Sequence, residues 1–270
     1  MDFAAYRQQL RIAEVCKRSG DVVGCEKALG EFLQLAYPTA DSLYMVDHKD
    51  VYDDIAKAIT ELIKLLLGRQ EYAGAAVEAG RVVGFFSGHN ARLAQMSPKV
   101  RAEMLSTVAR ATREHTLRAQ LFGAASVDFA SLSELTEAAR AKLGQSAGLF
   151  AARDYRHAHD CALEARRMAQ QADSAEVEAQ SVRMLSETFL AAKDTQGSLG
   201  VILEYLNAPK ELVTDKSAIR SRAELTETLG ARYLSQGDRA SARAAFSNAA
   251  GLYARCGETA KANALLRQRR

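Results

Sequence analysis

The sequence predicts an all-α protein built from antiparallel helical hairpins. Apolar residues recur at three- and four-residue steps along most of the 270-residue chain, and only 3 prolines interrupt it. A proline inside a helix destabilises that helix by about 3 kcal/mol. The small number of prolines therefore leaves room for many long helices. Short polar turns separate the helical stretches, and strand-like alternation never continues for more than a few residues.

Apolar stripes of helical period mark the individual helices. They are clearest in residues 51–68, 181–192 and 218–234. Stripes of this width are expected to pack against neighbouring helices. The stripe of the third segment contains Ile219, Leu225, Leu229, Tyr233 and Leu234.

Five short turns connect the predicted helices. In each, a glycine or a long polar residue closes one helix, and an acidic residue at or beside the start of the next is expected to cap its free N–H groups. Turns this short join antiparallel helices. The last three are roughly 40–44 residues apart, a spacing typical of repeat proteins. The turns are Ser19–Asp21, Gly68–Tyr72, Ala152–Tyr155, Lys193–Thr195 and Gln236–Asp238.

The middle of the chain is less regular. The pattern predicts loops at 37–50 and 87–97, one long helix over 98–123, a break at 123–131 and a helix from about 132 to 151. This gives about twelve helices in roughly six hairpins. We expect a single repeat domain over 1–270, with an irregular or bent region at 90–139.

Residues 227–256 resemble a tetratricopeptide repeat (TPR), and weaker copies surround the other four turns. Gly230 and Ala242 are small where two helices cross, and Tyr233 and Phe246 are large enough to fill the wedge between hairpins. The resemblance implies a TPR-like α-solenoid, a right-handed superhelix whose concave groove binds another protein or peptide. The matching residues are Leu229, Gly230, Tyr233, Gly237, Ala242, Phe246 and Ala249.

The resemblance also indicates which residues of the first helix in each hairpin face the groove. Some TPR proteins clamp a partner's terminal carboxylate with Lys and Asn, but the corresponding places here hold Leu143, Glu187, Glu227 and Ala231. An apolar or helical segment is therefore the expected partner of a scaffold or adaptor. The alternative is a regulatory sensor that binds a short peptide or small ligand. The candidate groove residues are Ala147, Phe150, Ala151, Arg183, Glu187, Leu190, Glu227 and Ala231.

One cluster has the residue types of a metal site. His157, Asp160, Cys161 and Glu164 share a helix face, but no second cluster supplies the ligands that complete a closed zinc site. A solvated or packing face is the favoured interpretation, and we predict no metal and no cofactor. The four cysteines, which form no C-x-x-C pair, are expected to be buried and reduced.

Other functional classes find little support in the sequence. It has no G-x-S-x-G, no H-E-x-x-H and no glycine-rich phosphate loop, so we predict no catalytic residues and no enzyme. The net charge is only +3, with arginines scattered among acids, which argues against nucleic acid. The longest apolar run, 55–67, is interrupted by charges, so we expect no membrane insertion and a cytoplasmic location. Oligomeric state and partner identity stay open.

Overall fold

The computed structural model describes residues 3–42, 49–86, 90–208 and 215–268. Every regular element in these ranges is an α-helix, which confirms the predicted all-α class. The chain divides into two compact units, Met1–Ser133 and Glu134–Arg270. Their boundary falls inside the 90–139 region, and the single repeat domain over 1–270 stays a prediction.

Unit 1 contains two helical hairpins followed by a short helix and a third helix pair. Helix α3 is central, since it contacts α2, α4 and α6. Its fully buried Ile55, Ile59 and Ile63 form one stripe, and Phe32 and Met104 are buried on its neighbours α2 and α6. The helices are α1 Phe3–Ser19, α2 Val22–Ser42, α3 Lys49–Gly68, α4 Tyr72–Phe86, α5 Asn90–Gln95, α6 Pro98–Ala111 and α7 His115–Ser131.

Unit 2 contains three hairpins and a terminal helix. The first helices lie side by side, because α8 contacts α10 and α10 contacts α12. Val182, Leu185, Ile202, Tyr205 and Leu225 form the core between the second and third hairpins. The helices are α8 Leu135–Ala151, α9 Tyr155–Gln171, α10 Ala175–Ala191, α11 Thr195–Asn207, α12 Lys216–Ser235, α13 Arg239–Arg255 and α14 Thr259–Gln268.

All five predicted turns are confirmed, and they share one geometry. The residue before the acid adopts a left-handed conformation, with φ of +62° at Lys193 and +82° at Gly237. The N–H of the acid then donates to the carbonyl five residues earlier, as from Asp238 to Tyr233 at 3.0 Å. This is the Schellman ending of a helix, and it satisfies carbonyls that the helix leaves unpaired.

The left-handed turn residues give a prediction. Replacing Gly237 with alanine places a Cβ where left-handed backbone is unfavourable, so the free energy of unfolding should fall by about 1 kcal/mol. The matched change Lys193→Gly removes such a Cβ and should leave stability unchanged or raise it by up to about 0.5 kcal/mol. Urea denaturation followed by circular dichroism measures the free energy of unfolding of both variants. If both substitutions lowered it equally, this explanation would be refuted.

Aspartates cap the helices that follow four of the turns. Side chains of Asp21, Asp154, Asp194 and Asp238 accept hydrogen bonds from the N–H groups of Gly24, His157, Gly197 and Ser241, at 2.9, 3.3, 2.7 and 3.0 Å. The sequence pattern predicted this capping. Each cap satisfies an N–H at the positive end of the helix dipole.

Acid should weaken the cap at Asp238. The backbone hydrogen bond from Ser241 lowers the pKa of this carboxyl in the folded state. A depressed folded pKa means that the stabilisation is present above the unfolded pKa, about 3.9, and is lost as pH falls through the folded value. Asp238→Asn keeps a capping oxygen without the titration. Between pH 7 and about pH 2.5, the urea midpoint of the wild type should therefore fall towards that of Asp238→Asn. A difference between the two midpoints that stays constant with pH would contradict this role.

The predicted long helix over 98–123 and the break at 123–131 are wrong. The chain instead breaks at 112–114, between α6 and α7, and Gly123 lies inside α7. Two side chains make this break. Arg118 donates from Nε and Nη2 to the Thr112 carbonyl at 3.0 and 2.6 Å, and Glu114 accepts from the Leu117 N–H at 3.1 Å.

Three smaller expectations also need correction. Helix α2 continues to Ser42 and α3 begins at Lys49, so residues 37–42 and 49–50 of the loop predicted at 37–50 are helical, and 43–48 lie outside the described residues. Helix α5 occupies residues 90–95 of the loop predicted at 87–97, and 87–89 lie outside the described residues. Fourteen helices, rather than about twelve, are present in the described ranges.

Candidate functional site

The first helices of unit 2 present one accessible face. None of the eight candidate groove residues is buried, and they lie on α8, α10 and α12, which are in contact with their neighbours in that order. We call this surface the first-helix face. It comprises Ala147, Phe150 and Ala151 on α8, Arg183, Glu187 and Leu190 on α10, and Glu227 and Ala231 on α12.

Ion pairs link each first helix to the next, and one pair links α12 to the terminal helix α14. Acidic and basic side chains alternate between neighbouring helices, so most of the charges on the face have partners within the protein. Partly exposed pairs of this kind are each worth about 0–1 kcal/mol, and their main effect is to fix side-chain positions. The pairs are Arg140–Glu176 (3.2 Å), Arg183–Glu224 (3.8 Å), Glu187–Arg232 (2.6 Å) and Glu227–Lys261 (3.5 Å).

Glu227 is held by Tyr253 as well as by Lys261. Its Oε2 accepts a hydrogen bond from the hydroxyl of Tyr253 at 2.7 Å, and the Lys261 ammonium lies 4.3 Å from the centroid of the same Tyr253 ring. Burial, together with the hydrogen bond to Glu227, raises the pKa of Tyr253. This tyrosine therefore stays a neutral donor that orients the carboxylate.

The end of the face nearest the hairpin turns is apolar. Phe150 packs edge-on against Tyr155, with ring centroids 5.2 Å apart, beside exposed Ala151. Leu190 is half-buried on α10. Leu234, which the apolar stripe of α12 predicted to be buried, is 53% exposed and is a correction to that prediction. It follows Glu227 and Ala231 at helical spacing, a signal that sequence reasoning missed.

The TPR-matching residues lie in the third hairpin. Leu229, Gly230, Ala242, Phe246 and Ala249 are buried, and half-buried Tyr233 contacts the clusters on both sides. A Cβ added at Gly230 would lie 2.7 Å from the Phe246 ring. Any larger residue at this crossing of α12 and α13 would therefore force the Phe246 ring or the helices to move. Gly237 occupies the left-handed position of the turn.

Side chains in and beside the cluster that has the residue types of a zinc site make other contacts. His157 Nδ1 lies 2.7 Å from Asp154, and Glu164 pairs with Lys142 at 2.9 Å. Burial raises the pKa of the half-buried Cys161 thiol. Across the described ranges, no three His, Cys, Asp or Glu side chains are placed to share a metal ion. Of the four cysteines only Cys25 is buried, so the expectation of four buried thiols is corrected.

Within residues 3–42, 49–86, 90–208 and 215–268, each helix is too short or too polar to cross a bilayer.

Comparison with solved structures defines the class of fold. No protein-family model matches the sequence, and no curated protein matches it. BtubC (BKLC) from P. vanneervenii aligns with a TM-score of 0.57 at 15% identity, over 86% of this chain and 91% of that chain. A Rap protein complexed with competence and sporulation factor aligns at 0.54 and 11% identity, over 97% and 80%.

A third structure carries the repeat in its name. The signal transduction ATPase PH0952 from Pyrococcus horikoshii, with a tetratricopeptide repeat sensor, aligns at a TM-score of 0.51 and 10% identity, over 97% of this chain and 41% of that chain. These likenesses, with the hairpins described above, show a TPR-like fold made of helical repeats.

Proposed function

We propose that this chain is a non-enzymatic scaffold or adaptor that binds a segment of another protein on its first-helix face. The observation that carries the proposal is that all eight candidate groove residues remain accessible on three neighbouring helices. A face built from several rigid helices positions contacts more firmly than a loop does, and stacked hairpins bind extended or helical segments in this way.

The side chains of the face favour an amphipathic helical segment. Ala147, Ala151 and Ala231 are small, which allows a partner backbone to approach closely. Leu190 and Leu234 supply apolar contact at the turn end of the same face. An incoming helix can place apolar residues at steps of three and four against these positions, while its polar side meets the ion pairs.

Affinity purification of the tagged protein from its own cells, followed by mass spectrometry, tests the proposal. The wild type should retain a stoichiometric partner. The double variant Leu190→Glu, Ala231→Arg should lose it, because it places a charge in the apolar part and a large side chain in the open part of the face. Isothermal titration calorimetry with the recovered partner should then show affinity weakened by about 100-fold or more, as expected when contacts at the centre of an interface are lost.

A matched control separates the face from general surface effects. Arg239→Glu, Arg243→Glu changes two exposed arginines on the second helix α13 and should leave partner binding intact. Circular dichroism must show equal helix content in both variants. Loss of binding in the control, or retention in the face variant, would contradict the proposed surface.

A ligand sensor is the second candidate function. Two of the similar structures support it, since one is a Rap protein complexed with competence and sporulation factor and another contains a tetratricopeptide repeat sensor. A sensor would be stabilised by its ligand by RT ln(1 + [L]/Kd), about 2.7 kcal/mol at 100 times Kd. A thermal-shift screen of short peptides would reveal this, whereas an adaptor would respond only to its protein partner.

A further inference from the structure

A cleft of about 720 Å³ opens in unit 2 between α11 and α13, with α12 as its floor. Its lining includes the second helices of two hairpins, and no residue of the first-helix face contributes to it. The volume lies within the range of about 300–1,000 Å³ that is typical of small-molecule sites. The cleft is thus separate from the surface proposed for partner binding.

The cleft is elongated along α13. One side of this helix lines it from Ser241 through Ala244, Asn248 and Gly251 to Arg255. At 1.5 Å per residue, this stretch is about 21 Å long. The small side chains along it leave the space open, and a Cβ added at Gly251 would meet no atom within 4 Å.

Two cations lie at one end of the cleft. Helices α12 and α13 are antiparallel around Gly237, and Arg222 and Leu252 are equally far from this turn, which places Arg222 near Arg255. Arg222 Nη2 donates to the Leu206 carbonyl at 2.5 Å. Its other N–H groups, and those of Arg255, have no hydrogen bond to the described residues.

The described lining carries no opposite charge. Beyond the two arginines it mixes apolar side chains with uncharged polar ones, which are Asn207, Thr226, Ser241, Ser247 and Asn248. Leu229, Tyr233 and Ala245 lie towards the hairpin turn, and the described lining residues include no Asp or Glu. Two guanidinium groups with no acidic side chain among the described lining residues favour an anion, and guanidinium matches a carboxylate in bidentate geometry. The leucine and alanine side chains of the lining, together with the Tyr233 ring, offer apolar surface to a hydrocarbon body.

We propose that this cleft binds an elongated amphipathic carboxylate, such as a medium-chain fatty acid. Its carboxylate lies between Arg222 and Arg255. Its apolar chain runs along α13 over Leu229 towards Tyr233. The site is independent of the first-helix face, so a ligand here is a second binding partner rather than the segment proposed above.

Isothermal titration calorimetry with decanoate, below its micelle-forming concentration, tests the site on the full chain. We expect saturable binding of one molecule per chain. Decyltrimethylammonium has the same chain with a cationic head and should not bind. Arg255→Gln should weaken decanoate binding about tenfold, since it removes a charge-assisted hydrogen bond from an exposed side chain.

Two further variants make the test specific. Gly251→Leu fills the cleft from a position with free space and should abolish binding while the protein stays folded by circular dichroism. Arg243→Gln removes an exposed arginine on the same helix, outside the cleft, and should bind decanoate as the wild type does. The proposal is overturned if decanoate fails to saturate, if the cationic analogue binds equally, or if Gly251→Leu binds normally.

Discussion

Gly230→Val is expected to lower the free energy of unfolding by about 3 kcal/mol, the upper part of the range for overpacking a core. The added Cβ would lie 2.7 and 2.8 Å from two ring carbons of Phe246, so the ring or the whole helix must move. Phe246 is buried beside Ala242 and Ala249 and has little room to shift. Urea denaturation followed by circular dichroism measures the loss.

A second glycine supplies the control for this prediction. Gly200 lies inside α11, and an added Cβ there meets nothing within 4 Å. Gly200→Val should therefore change stability by no more than about 0.5 kcal/mol. In a Phe246→Ala background, Gly230→Val should cost much less, because the clashing ring is gone. Equal losses in both backgrounds would show that the ring is not the cause.

Arg101→Met is expected to destabilise unit 1 by about 2–3 kcal/mol. Arg101 donates from Nε and Nη2 to both oxygens of Asp128 at 2.7 and 2.5 Å, and from Nη1 to the Leu93 carbonyl at 2.9 Å. The hydrogen bond to Asp128 raises the pKa of Arg101. Removing one member of a buried pair costs about 3–5 kcal/mol, and partial exposure of this pair lowers the figure.

The reason for the loss can be tested separately. The two side chains are 22% and 12% exposed, so Arg101→Met leaves a carboxylate largely out of water. Adding Asp128→Leu removes that carboxylate, and the double variant should be more stable than the sum of the single losses predicts. Arg110→Met, at an exposed position on the same helix, should change stability by less than about 0.5 kcal/mol. Chemical denaturation of the wild type, Arg101→Met, Asp128→Leu and the double variant completes the cycle.

Short-range patterns in the sequence predicted much of this fold. Amphipathic stripes located the helices, and the glycine or polar residue followed by an acid located five turns, because a Schellman ending and an N-terminal cap depend only on residues within one helical turn. The α6–α7 break escaped prediction for the opposite reason. It depends on Arg118 reaching back to the Thr112 carbonyl, and no glycine or proline marks the place.

The candidate site was only partly predictable. Helical spacing placed Arg183, Glu187 and Glu227 on accessible sides of their helices. Their partners Glu224, Arg232 and Lys261 depend on how neighbouring helices align, which a single sequence does not specify. Leu234 was misassigned because an apolar residue next to a buried stripe has the same local pattern whether or not a neighbouring helix covers it.

The ion pairs across α8, α10 and α12 have a consequence for selectivity. A segment that covers Arg183–Glu224 or Glu187–Arg232 with hydrocarbon alone takes water from these charges without replacing its hydrogen bonds. A segment that brings its own charges in matching order exchanges one set of pairs for another. If the first-helix face binds a partner as proposed, purely apolar segments should bind it less well than segments with matching charges, and this discrimination should weaken as the salt concentration is raised.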